Sequence, residues 1–159
     1  MKKIILTLLA LPLLCQISMA QTARMREAEM MAGFSSAQDY TVVEITGEVL
    51  RGMSDRLGSA ASQLDRIYIA TTEKSSNIAT MKSQVAELLS SSLGYNILAS
   101  VSENGKEVKI ATRRLGGTDN KCYLIHNSEP TQGVLVFVIG NADINSLSGL
   151  ATQFGVAIE

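Results

Sequence analysis

Asn96-Ile-Leu-Ala-Ser-Val-Ser-Glu-Asn-Gly-Lys-Glu-Val-Lys-Ile-Ala-Thr112 decides the fold. Asn104-Gly105 is the dipeptide favoured by a two-residue type I′ hairpin turn, because both residues tolerate positive φ. The turn sets Glu103 opposite Lys106. Counting outward pairs Val101 with Val108, Ala99 with Ile110 and Ile97 with Thr112 on one face, and Ser102 with Glu107 and Ser100 with Lys109 on the other. A slip of one residue would mix the two faces, so pattern and turn specify the same antiparallel register.

Downstream, Leu115 to Asn120 contains Gly116-Gly117 and reads as the next turn. Two strands follow, Lys121 to Ser128 and Gly133 to Ile139, separated by Pro130. Val134-Leu-Val-Phe-Val-Ile139 is apolar at every position, the pattern of a strand covered on both faces. Asp143 can cap a last helix with Ile144, Leu147, Leu150, Ala151 and Phe154 along one side. Upstream, Ile78, Met81, Val85, Leu88 and Leu89 recur at helical spacing within Ser76 to Leu93, with Gly94 placed for a left-handed cap. Leu64 to Thr71 and Tyr40 to Ile45 have strand composition. Between them Thr46 can cap a helix whose Val49, Leu50, Met53 and Leu57 share a side. The expectation is an α+β domain over residues 40–159, a mostly antiparallel sheet of about five or six strands with two or three helices packed on one face. Residues 21–39, rich in Met and charge, form an N-terminal arm.

The first twenty residues read as an export signal: Lys2 and Lys3, an apolar run from Ile4 to Leu14, then Ser18-Met19-Ala20 before the expected mature start at Gln21. The run is about half of the roughly 20 residues that span a bilayer as a helix. Anchoring through a lipidated Cys15 is the weaker reading, since bulky Leu13 and Leu14 precede it. Cleavage after Ala20 leaves 139 residues carrying 12 basic and 15 acidic side chains. Periplasmic localisation follows as the expectation. Cys122 is then the one remaining cysteine, so stability must come from an apolar core. The acidic balance argues against nucleic acid as a partner, and the absence of tryptophan weakens any stacking platform.

The usual chemistries fit poorly. Cys122 and His126 would share a strand face with backbones about 13 Å apart, too far for one zinc ion or for a nucleophile and its base. No serine lies in a Gly-x-Ser-x-Gly elbow and no phosphate loop occurs. A carboxylate pair such as Glu44 with Glu48 has nothing beyond ordinary surface charge to support it. No catalytic residue, cofactor or metal is therefore expected.

Tyr40-Thr-Val-Val-Glu-Ile45, the Met53 helix, Ile67-Tyr-Ile69, the hairpin and the closing Val136-Phe-Val-Ile-Gly140-Asn-Ala-Asp-Ile144 together resemble domain-of-unknown-function family 4252, small exported envelope proteins of Bacteroidota, over roughly Phe34 to Phe154. The resemblance implies export, often as a lipoprotein, and gene neighbourhoods with extracytoplasmic sigma factors and their antagonists; it implies no catalytic residues. The expected function is a non-catalytic envelope interaction or regulatory module that binds a protein partner. The alternative is a periplasmic carrier holding an apolar or lipid-like ligand in a cavity, and the third reading is an unrecognised hydrolase. Lys106, Lys109, Arg113, Arg114 and Lys121 form the candidate partner surface, suited to an acidic protein or to peripheral contact with lipid headgroups. The arm and first strand carry the opposite sign, with Glu27, Glu29, Asp39, Glu44 and Glu48.

Overall fold

The computed structural model describes residues 26–145 and 147. The expected export signal with Cys15, the expected mature start at Gln21 and the Leu150, Ala151 and Phe154 positions of the expected last helix lie outside them. Helix α1 covers residues 26–36. Strand β1 (Thr41–Thr46) leads through two short helices, α2 (Gly47–Gly52) and α3 (Ser54–Leu57), and a 3-10 turn (Ser59–Gln63) to β2 (Leu64–Thr72). Helix α4 (Ser75–Ser90) then crosses to β3 (Asn96–Glu103), and β4 (Lys106–Arg114), β5 (Lys121–Ser128) and β6 (Gly133–Gly140) return as a meander. All neighbours in the sheet, ordered β1-β2-β6-β5-β4-β3, run antiparallel.

The β3–β4 hairpin forms as its turn dictates: Asn104 and Gly105 have φ of 51° and 80°, and Val101 pairs with Val108 and Ala99 with Ile110. The register expected at Ile97 does not hold, because a bulge at Leu98 sets Ile97 opposite Ala111 and leaves Thr112 to Asn96. A bulge adds one residue to one strand, which moves every later pair by one.

Strand β6 lies inside the sheet and is apolar on both sides. Leu135, Phe137 and Ile139 join Met31 and Phe34 of α1 and Met81, Val85 and Leu88 of α4 in one buried cluster. Val136 and Val138 join Leu50, Leu64, Ile67, Tyr123, Ala142 and Leu147 in a second. Helix α4 packs on one face joined by α1, which comes from the residues read as an arm, and α2 covers the other face through fully buried Leu50, so the helices read from the sequence do not share one face. The described part of the arm is a packed element of the domain, since Met31 and Phe34 are as buried as the sheet. The helix read from Thr46 onward is interrupted at Met53, and Thr46 makes no side-chain cap. Val49 and Met53 consequently face outward. Gly47 begins this segment under close packing, since a Cβ there would stand 2.9 Å from the Asp65 carbonyl.

Gly140 ends β6 where the backbone of β2 crosses it. A Cβ at this position would collide with the Gln63 carbonyl and stand 2.7 Å from Leu64 Cα. Because both neighbours are backbone, they cannot rotate away. Gly140→Ala is expected to lower the stability to urea unfolding by about 1–3 kcal/mol, the usual cost of overpacking, whereas Gly116→Ala, with open space around its Cβ position, should change it by less than about 0.5 kcal/mol.

Candidate functional site

Three places hold chemistry or exposed surface that the packing does not absorb. The first is a buried ionic cluster under α1. Glu27 sits one turn before Met31, so the helix period that buries the methionine also turns the carboxylate inward. Arg113 Nε donates to Glu27 Oε1 at 2.8 Å and Nη2 to Oε2 at 2.9 Å, a fork geometry with both side chains almost fully buried. The Tyr95 hydroxyl donates to Glu27 Oε1 at 2.5 Å, the guanidinium carbon lies 5.4 Å from the Tyr95 ring centre, and Cys122 Sγ is 3.4 Å from the phenol oxygen. Burial works against the Arg113 charge, but the Glu27 carboxylate and the Tyr95 hydroxyl hold its pKa above the usual value. Burial, reinforced by the neighbouring Glu27, pushes the Cys122 thiol up to about 12 and raises the Tyr95 phenol as well. Neither group is ionised at neutral pH, so neither is an activated nucleophile.

The second place is His126 on β5, fully buried, with neither ring nitrogen hydrogen-bonded. Glu107 Oε1 of β4 is 3.9 Å from its Nδ1 and is itself engaged by Lys109 at 3.1 Å, while Glu107 Oε2 lies 3.9 Å from Lys82 of α4. Burial drives the imidazole pKa down to about 4, only partly opposed by the Glu107 charge. The ring is therefore neutral in the folded protein at neutral pH. Cys122 and His126 stand four residues apart on one face of β5, and the structure does not bring them together. Among the described residues no group of three or more His, Cys, Asp or Glu side chains is placed to hold a metal ion.

The basic residues read as a partner surface separate. Arg113 leaves the set, because its charge is balanced inside the protein by Glu27 of α1. Lys109 is bound to Glu107, and Lys106 to Glu129 at 3.1 Å on the surface. Arg114 is exposed and pairs in register with half-buried Lys121 at the far end of the β4–β5 ladder. Glu44 lies 2.9 Å from Arg66 on the opposite edge of the sheet, an exposed ion pair.

The third place is the outer strand β3. It contributes no residue to either buried cluster, and Ile97, Leu98 and Val101 are 52, 44 and 56% exposed. Ile97 stands opposite Ala111, on the helix-covered face, and Val101 opposite Val108, on the other. Exposed aliphatic side chains thus flank an open row of backbone donors and acceptors. The sequence contained this feature as an uncharged run, Asn96 to Ser102, but strand order was needed to show that it is an edge.

Residues 34–150 match a protein-family model described as Domain of unknown function (DUF4252). No curated protein matches the chain.

Two outcomes follow from the buried groups. Glu27→Ala removes the carboxylate that balances the buried Arg113 charge and should cost about 3–5 kcal/mol in urea unfolding, while the double variant Glu27→Leu with Arg113→Met should recover most of that loss. For His126, the folded-state pKa of about 4 lies below the ordinary 6.5, so the unfolded chain binds the proton first. Its contribution is complete above pH 6.5 and is lost as pH falls toward 4, about 3 kcal/mol in all. Urea titrations at pH 7.5 and 5 should show about 2 kcal/mol of this loss in the wild type, and His126→Leu should flatten it while leaving stability at pH 7 undiminished.

Proposed function

The chain belongs to the DUF4252 family, and on that footing we propose that it is a non-catalytic binding module of the cell envelope, acting in the periplasm after export and taking a protein partner by strand addition at β3. The observation that carries this reading is the open edge itself. Edge strands of stable monomers carry charge, proline or a cover that prevents pairing. β3 carries neither charge nor proline from Asn96 to Ser102 and leaves three large aliphatic side chains in water; its bulge at Leu98 interrupts the ladder only at one end. In strand addition, backbone hydrogen bonds supply affinity and alternate side chains supply selectivity.

The buried chemistry supports the non-catalytic part. Cys122 and His126 are sealed in the core with the thiol protonated and the imidazole neutral at pH 7, so a substrate would have to open the domain to reach either. The carrier reading asks for an enclosed apolar cavity. Among the described residues, the cleft of about 290 Å³ between α1 and α4 is bordered by Arg26, Glu29, Gln84 and Glu87 alongside Met30 and Leu88, a lining better suited to solvent than to an acyl chain.

The test removes a donor from the edge without touching the rest of the sheet. In a two-residue hairpin Glu103 and Lys106 form the hydrogen-bonded pair next to the turn, and alternation then points the N–H of Ser100 away from β4. Ser100→Pro deletes this donor at a position where an edge strand tolerates proline. Binding to a partner purified from envelope extracts should fall at least tenfold for Ser100→Pro and for Ile97→Lys, with each variant retaining the far-ultraviolet dichroism of the wild type. Undiminished binding by both folded variants would contradict edge recognition.

A further inference from the structure

We propose that the strand completing β3 is β3 of a second copy, paired antiparallel about a two-fold axis at Val101. This rests on the edge-binding reading above and names the partner for that same edge. The hairpin geometry supplies the register. Starting from the hydrogen-bonded Glu103–Lys106 pair, alternation makes Val101–Val108 and Ala99–Ile110 hydrogen-bonded pairs too. The N–H and C=O groups of Val101 and Ala99 are therefore used within the hairpin, and those of Ser100 and Ser102 point outward. With the axis at Val101, Ser100 lies opposite Ser102 of the second copy and exchanges both backbone bonds with it, and Ser102 does the same with Ser100 of that copy. Val101 then occupies a non-hydrogen-bonded pair with its own equivalent, the closest approach in an antiparallel ladder at about 4.5 Å between Cα atoms. The most exposed large aliphatic side chain of the described residues, 56% exposed, becomes the centre of the contact, backed by Val108 on each side.

Charge does not oppose pairing with a second copy. Pairing of identical edges is what natural sheets prevent with like charges that meet across the axis. From Asn96 to Ser102 there is none, and in this register the two Glu103 side chains lie opposite Ala99 of the other copy, with about 13 Å along the strand between them. The other edge shows the contrast, because β1 carries Glu44, tied to Arg66, in the middle of its exposed run. The bulge fits the same arrangement: it ends the regular ladder at Leu98, the residue that would lie beside the Asn104-Gly105 turn of the second copy.

Two cysteine variants read the register. Val101→Cys should form a disulfide-linked dimer under mild oxidation, because residues facing each other in a non-hydrogen-bonded pair have Cβ atoms within disulfide reach. Glu103→Cys should stay largely unlinked at about 13 Å, beyond that reach; the native Cys122 is buried and does not compete. Light scattering of the wild type should give twice the chain mass, and Val101→Lys should halve it while retaining the far-ultraviolet dichroism of the wild type. A single-chain mass for the wild type, or equal linking of the two cysteine variants, overturns the inference. In that event Ser100→Pro separates the two levels: if it still abolishes capture of an envelope partner, the edge binds a different protein; if it does not, the edge reading falls as well.

Discussion

A strand that is apolar at every position must be covered on both faces, and β6 imposes that requirement on the whole molecule. Phe137 and Leu135, fully buried on one side, and Val136 and Val138 on the other keep this strand from serving as an edge. They place it between β2 and β5 and call helices to one face and the α2 segment to the other. Burial of this kind is the main source of stability for a domain without a disulfide. The crossover of α4 from β2 to the far side of the sheet follows, because the meander β3-β4-β5-β6 must begin at the distant edge to end beside β2.

The same requirement leaves β3 open. Six strands at about 4.8 Å spacing span roughly 24 Å, and two helices about 10 Å across cover less than that. Cover centred on β6 and its neighbours runs out before β3, and the last residue of the meander face to be fully buried is Ala111 of β4. Glu27 and Arg113 fix where the cover stops. Their bond ties α1 above β4, and Tyr95, just before β3, closes the cluster. Beyond that ionic seam the sheet continues for one strand over which, among the described residues, no helix packs.

The hairpin was legible to the residue because turn chemistry and alternation agree, and β6 was legible because no other element explains an unbroken apolar run of six. The bulge at Leu98 was not, since Ile97-Leu98-Ala99 offers apolar residues in either register. The break at Met53 escaped a reading based on periodicity, which counts Leu50, Met53 and Leu57 as one stripe and does not register the glycines at 47 and 52. At the site, opposite charge on the arm and the hairpin was visible, but its resolution inside the chain was not. Burying Arg113 depends on Glu27 lying on the inner side of α1, and that depends on how Met31 and Phe34 pack. Sequence separates these residues by 86 positions, and only the fold brings them together.

Backbone amide hydrogen exchange along the sheet edges tests the account most directly. If β3 is the edge that pairs, the amides of Ser100 and Ser102 should be protected to the level of inner-strand amides and lose that protection on dilution, while outward amides of β1 exchange fast at every concentration. Ser100 and Ser102 exchanging as fast as the β1 edge at all concentrations would contradict it.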